Sequence, residues 1–242
     1  MERQTLDRLI LVTIFLLAAS TAAMIYLSNI NAVAFNNHLY ESEYEKYDIR
    51  ARFDPSVNLT NETQYLLEYL SKGTGEIQTT FFNAREKTHL VEVRDLFKLV
   101  STLFQISAVI AAICALALAF LVAMQSANYS EHENREHYKK TLARFLVMTG
   151  AIACICALFF IFMMLTFSSS FIKFHELLFK TDTWMLDPAT DNLIRMFPEN
   201  FFFDLFMRIV SLSVIFAGIL MAAGFLIRLG KPKFGHYAHN KK

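Results

Sequence analysis

Seven histidines are spread along the 242-residue chain, and imidazole is the side chain whose ordinary pKa lets it take and give protons near neutral pH. Two stand out by their surroundings. His89 lies in Asn83–Phe97, NAREKTHLVEVRDLF, which leads from a polar stretch straight into an apolar run, and His175 lies in FHELLF, just beyond another. On a helix, Arg85 four residues before His89 and Glu92 three after share its face. A neighbouring cation disfavours imidazole protonation and a carboxylate favours it, so this face can hold an imidazole poised near neutrality. The same pattern also suits an ordinary charged helix entering a membrane. Two histidines in different environments can supply the base and the acid of an acyl transfer, which further needs donors for the oxyanion.

The elements that would position them follow from hydropathy. The chain is 55% hydrophobic and 19% charged, and its apolar residues gather into four runs, about 9–35, 99–124, 145–167 and 205–227. Each reaches the ~20 residues a helix needs to cross the hydrocarbon of a bilayer. The first three hold no Asp, Glu, Lys or Arg, and the fourth holds only Arg208 near its start. The expected fold is all-α: a polytopic membrane protein, a single domain with four transmembrane helices. Loops of about 36–97 and 168–204 carry short amphipathic or interfacial helices; 125–144 is the linker and 228–242 the tail. Lys and Arg concentrate at the N-terminus, the linker and the tail, which predicts that both termini are cytoplasmic and both long loops extracytoplasmic. Arg3 and Arg8 before an apolar run ending at Ala32-Val33-Ala34 also resemble a signal peptide, but the run exceeds the ~7–15 residues of such a core.

Topology leaves His38, His89 and His175 on the outer side, while His132, His137, His236 and His239 read as solvated. Cys114, Cys154 and Cys156 all fall inside spans, so no disulfide framework is expected. Small residues recur at four-residue spacing, as Ala18/Ala22, Ala111/Ala115/Ala119, Ala153/Ala157 and Gly218/Ala222, which predicts close helix packing. In the first loop, Tyr40, Tyr44 and Tyr47 at helical spacing suit the headgroup level. Leu59–Lys72 reads as an amphipathic helix capped by Thr60 or Asn61 and ended by Gly73, and Glu76–Phe82 has some strand character. Asn83 with Glu86 makes a capping box for a helix continuous with the second span. In the second loop, Trp184 reads as an interfacial anchor and Asp187-Pro188 as a helix start. Leu193, Ile194, Met196 and Phe197 form an apolar face, and Pro198 begins the next helix, by which Phe201–Phe203 and Phe206 lead back into the bilayer. The segment reads as a helix on or in the outer leaflet, a lid over the bundle.

A net charge of +1 argues against a nucleic-acid partner. The outer loops lack a GxSxG elbow, a HExxH motif, a Gly-rich phosphate loop and a Cys nucleophile, so an enzyme here would draw its nucleophile from its substrate. NAREKTHLVEVRDLF and FHELLF…TWMLDPATDNLIRMFPENFFFD, with four spans in this order, resemble the lipoprotein intramolecular transacylase family. The family's first block commonly has Asp where this chain has Glu92. The resemblance implies that the sn-2 acyl chain of a diacylglyceryl-modified cysteine moves to that cysteine's α-amino group, giving a lyso-form lipoprotein. It implies His89 and His175 as the catalytic pair, a diacylglyceryl-modified lipoprotein and membrane lipid as partners, and no cofactor or metal. Arg85, Glu92, Trp184, Asp187 and Asp204 are the supporting candidates: Arg85 for the oxyanion or substrate, the two aspartates for orienting a histidine or capping helices. Two alternatives remain from the residues alone. One is a non-enzymatic protein that binds or senses an envelope partner; the other is a metal site of His89, His175 and a nearby carboxylate.

Overall fold

The structure is a computed structural model and describes residues 3–127 and 129–230; the rest of the basic tail, with His236 and His239, lies outside them. Eight α-helices follow in chain order: α1 (Arg3–Ala34), α2 (Asn37–Lys46), α3 (Leu59–Lys72), α4 (Ala84–Ser126), α5 (Glu131–Met164), α6 (Phe167–Leu178), α7 (Asn192–Met196) and α8 (Glu199–Leu229). No strand occurs among the described residues, and Glu76–Phe82 runs as irregular chain. Four helices, α1, α4, α5 and α8, are long and apolar enough to cross a membrane. Four traversals put the two long connections at one end of the bundle, and α2, α3, α6 and α7 form a cap there.

α1 is the central helix and packs on α4, α5 and α8, while α5 and α8 form the other extensive pair. Small residues permit this approach. Ala18, Ala22, Ala153, Ala157 and Ala217 are buried. A Cβ added to Gly150 would lie 2.6 Å from the Ala217 carbonyl oxygen, so α5 and α8 are in backbone contact there. The other two small-residue rows do not pack. Ala115, Ala119, Gly218 and Ala222 are exposed, because these rows fall on faces turned away from neighbouring helices. Two polar contacts cross the bundle interior: Asn29 Nδ2 donates to Ser213 Oγ (2.9 Å) and Tyr26 Oη to the Ala153 carbonyl (2.8 Å).

The turn between α4 and α5 is shorter than the composition of the linker suggests. Ser130 and Glu133 form a capping box, and the charged stretch from Glu131 onward is helix.

The cap has a core of its own. Tyr40 and Tyr44 are buried in it, and both hydroxyls find partners inside: Tyr40 Oη donates to the Ala34 carbonyl and Tyr44 Oη pairs with Thr63 Oγ1, each at 2.7 Å. Leu59, Leu66, Leu67 and Leu70 of α3 join them, with Leu193, Met196, Phe197 and Phe201 from the second connection. The apolar face of the second connection is thus packed into the cap against α2 and α3 residues. The bounds of α3 agree with its amphipathic pattern and Gly73 ends it at φ 69°, but its cap is Asn58, whose side chain accepts from Asn61 N. Asp187 starts no helix: its carboxylate accepts from Ala189 N in a turn, and α7 begins only after Asp191.

Candidate active site

The capping box at Asn83 is complete. Asn83 Oδ1 accepts from Glu86 N (3.0 Å), and Glu86 Oε2 accepts from Asn83 N (2.7 Å). It starts a helix of 43 residues without interruption, about 65 Å long at 1.5 Å per residue, so the second turn, carrying His89, is held rigidly relative to the bundle. Glu86 does more than cap. Its other oxygen accepts from Leu193 N (2.5 Å), while Asn83 Nδ2 donates to Asp191 Oδ1 (2.7 Å). These bonds dock the start of α7 on the start of α4.

His175 arrives from the other connection. α5 ends at Met164, the chain breaks at Leu165-Thr166, and α6 carries His175 on its third turn. His89 and His175 are 6% and 8% exposed, and their ring centres are 6.1 Å apart. Aromatic rings wall the pair. Phe179 stands edge-on to His89 at 4.7 Å and 5.1 Å from His175, while Phe171 and Trp184 lie 4.3 and 5.1 Å from His175. Trp184 thus packs on a histidine.

The two rings are held differently. His175 Nδ1 lies 2.7 Å from the Phe171 carbonyl oxygen; a carbonyl can only accept, so Nδ1 carries the proton and Nε2 presents a lone pair. His89 Nδ1 is buried without a partner among the described residues. His89 precedes the apolar run that begins at Leu99; burial, with a smaller contribution from the neighbouring His175 and against the opposing Glu92, brings its pKa down to about 4. Burial also lowers the pKa of His175, opposed by its bond to the Phe171 carbonyl. Burial thus disfavours the protonated form of both imidazoles.

Glu92 and Arg85 share the face of His89, and both reach across to the chain that follows α6. Glu92 Oε1 accepts from Lys180 N (3.0 Å) and Thr181 N (3.2 Å), and Oε2 from Thr181 Oγ1 (2.9 Å). Arg85 Nη2 donates to the Asp182 carbonyl (2.9 Å) in the 3-10 turn Asp182–Trp184. The structure therefore gathers His89, His175, Arg85, Glu92 and Trp184 in one place. It puts Asp187 in its turn and Asp204 elsewhere: Asp204 pairs with Lys46 and accepts from Tyr47 Oη (2.5 Å), joining α8 to α2. Phe171 and Phe179, unremarked in an aromatic-rich sequence, complete the site. Glu86 showed in the sequence only as half of a capping box; nothing local signals its bond to Leu193. No group of three His, Cys, Asp or Glu among the described residues is arranged to hold a metal ion.

A four-helix membrane bundle under a folded cap, with a buried histidine pair at the capped end, defines a polytopic integral membrane protein. The family model described as lipoprotein intramolecular transacylase Lit matches residues 10–202. The chain belongs to this family of membrane acyltransferases, which act on lipoproteins. The fold is also that of the membrane integral lipoprotein intramolecular transacylase Lit from Bacillus cereus, at TM-score 0.73 and 20% identity, covering 92% of this chain and 97% of that one. Two variants of the same protein with a substituted histidine match at TM-scores of 0.69 and 0.70 and at 19% and 20% identity. Each covers 92% of this chain, and they are covered over 93% and 95% of their own lengths. No curated protein matches the chain.

Proposed function

We propose that the chain moves the sn-2 acyl group of a diacylglyceryl-modified cysteine to that cysteine's α-amino group, leaving a lyso-form lipoprotein, and that His89 and His175 do the proton work. The observation that carries this reading is the buried imidazole pair with ring centres 6.1 Å apart. The new C–N bond forms as the amine attacks the ester carbonyl, and the glycerol C–O bond breaks. One proton passes from the amine nitrogen to the departing sn-2 oxygen. His175 Nε2, with its lone pair free, takes the proton and returns it. An imidazolium whose pKa burial has lowered is a strong acid for that second step. His89, neutral, donates a ring N–H to the oxyanion, as a neutral imidazole can where its own protonation is suppressed.

Ester and amine already belong to one molecule, so the effective molarity is high and the protein has mainly to orient them and exclude water. Phe171, Phe179 and Trp184 supply the dry walls. Glu92 and Arg85 are positioning residues that hold residues 180–184, and with them Trp184, against the pair. The concentration of Lys and Arg at the opposite end supports a site on the extracytoplasmic side of the cytoplasmic membrane, with both termini cytoplasmic.

The test expresses the chain in a cell that makes diacylglyceryl lipoproteins but cannot N-acylate them. Mass spectrometry of the N-terminal lipopeptide then compares wild type with His89→Ala and His175→Ala. The expected product is a peptide of unchanged acyl count, N-acylated and empty at sn-2, absent from both variants. A wild-type lipopeptide that keeps both ester chains and a free amine, with the protein folded in the membrane, rejects the substrate assignment. A variant that retains full activity rejects the role of its histidine.

A further inference from the structure

At the end of the bundle away from the histidine pair, α5 and α8 again touch closely. A Cβ on Gly224 would lie 2.7 Å from Val147 Cγ2 and 3.0 Å from the Ala143 carbonyl oxygen, so only glycine allows this approach. One turn further along α8, Arg228 is thereby brought beside the face of α5 that carries Lys140 and Arg144. A cavity of about 250 Å³ lies between the helices, lined by Glu136, Lys139, Lys140, Arg144, Ile227 and Arg228.

Its charge is unbalanced. Four cations face one carboxylate, and that carboxylate is occupied by Lys139 at 2.9 Å. Lys140, Arg144 and Arg228 make no ion pair among the described residues. Cations held together repel one another, and an anion seated among them removes that repulsion. The depth of the cavity identifies which anion. Arg144 directly precedes the apolar run from Phe145, and Arg228 directly follows the one ending at Ile227. The cavity therefore lies where hydrocarbon gives way to water, the level of lipid headgroups, and basic clefts between spans at that level suit them. Ile227 provides an apolar floor.

We propose that this cleft between α5 and α8 is a binding site for the phosphodiester headgroup of an anionic phospholipid, separate from the site of acyl transfer. Lys140, Arg144 and Arg228 are its anion ligands, and the acyl chains leave toward the bilayer past Ile227. The site does not depend on the proposed transacylase reaction and would stand if that failed.

Native mass spectrometry of the full chain, released from detergent in the presence of equimolar phosphatidylglycerol and phosphatidylcholine, tests it. Wild type should retain phosphatidylglycerol at least about fivefold over phosphatidylcholine, and the variant Lys140→Gln/Arg144→Gln/Arg228→Gln should retain both about equally. Lys72→Gln/Lys98→Gln/Lys173→Gln, which removes three exposed cations at the capped end, should keep the wild-type preference. Excess inorganic phosphate should leave the lipid adducts in place. Equal retention by wild type, an unchanged preference in the cleft variant, an equal loss in the control or displacement by phosphate each overturns the proposal. Should the triple variant not purify, Lys140→Gln alone, at an exposed side chain, should at least roughly halve the preference; no change overturns the assignment.

Discussion

The cap and the bundle of this protein are stabilised by different physics. In the cap, Tyr44, Ile49, Leu59, Met196 and Phe201 are almost wholly buried against one another, as in a water-soluble domain where removing apolar area from water drives packing. In the bundle, only 11% of the apolar spanning stretch of α4 is buried inside the molecule. Lipid tails are as apolar as Leu, so helices gain little by turning such side chains inward and associate instead through small residues and a few polar contacts. The cap can accordingly organise carboxylates such as Glu86, Glu92 and Asp191 as acceptors for backbone N–H groups. The histidine pair sits where the two regimes join, one ring on a helix of the bundle and the other on a helix of the cap.

Four predictions separate these regimes, the largest effect first. Replacing His175 or His89 by Ala should lower acyl transfer about 10²–10⁴-fold, read by the lipopeptide assay, while the thermal midpoint of the bundle stays near that of wild type. Glu86→Ala removes the acceptor of two backbone N–H groups and should cost about 2–4 kcal/mol. The loss should be local: hydrogen exchange should quicken across α7 and the start of α4 while α5 and α8 remain protected. Uniform loss of protection would mean that cap and bundle unfold as one unit.

The third prediction concerns pH. The folded pKa of His89, about 4, lies below its ordinary value, so between the two the unfolded chain binds more protons than the folded one. Stability from this group is complete above about pH 6.5 and falls away as the pH drops toward 4, by about 3 kcal/mol in all. His89→Gln should flatten that acid limb in a melting series. In the rate profile, an α-ammonium near pKa 8 should lower kcat/KM about tenfold per unit below that pH. A general base at His175 with an ordinary imidazole pKa would double the slope below about 6.5; with its pKa lowered by burial, the slope should stay single to lower pH.

The smallest effects probe the bundle alone. Gly150→Ala forces a Cβ against the Ala217 carbonyl and should cost about 1–3 kcal/mol. Ala115→Leu, on the exposed face of α4, should change stability by less than about 0.5 kcal/mol. Thermal aggregation midpoints of the two variants, measured in the same detergent, give the comparison.

The sequence by itself determined the number of apolar helices, the continuity of the helix from Asn83 through its span and the bounds of α3. Hydropathy and capping act over a few turns, and local chemistry decides them. Tertiary structure alone decided that the two rings meet, that Glu92 and Arg85 hold residues 180–184, that Asp204 serves α2, and that Tyr40 and Tyr44 are buried. It also decided which small-residue rows pack: Ala153 and Ala217 face a helix, whereas Ala115 and Gly218 face outward, with the same spacing in the sequence. Each of these depends on residues far apart in the chain. In a lipid environment the apolar pattern does not say which face of a span meets another helix, so rotation and pairing are settled only when the helices assemble.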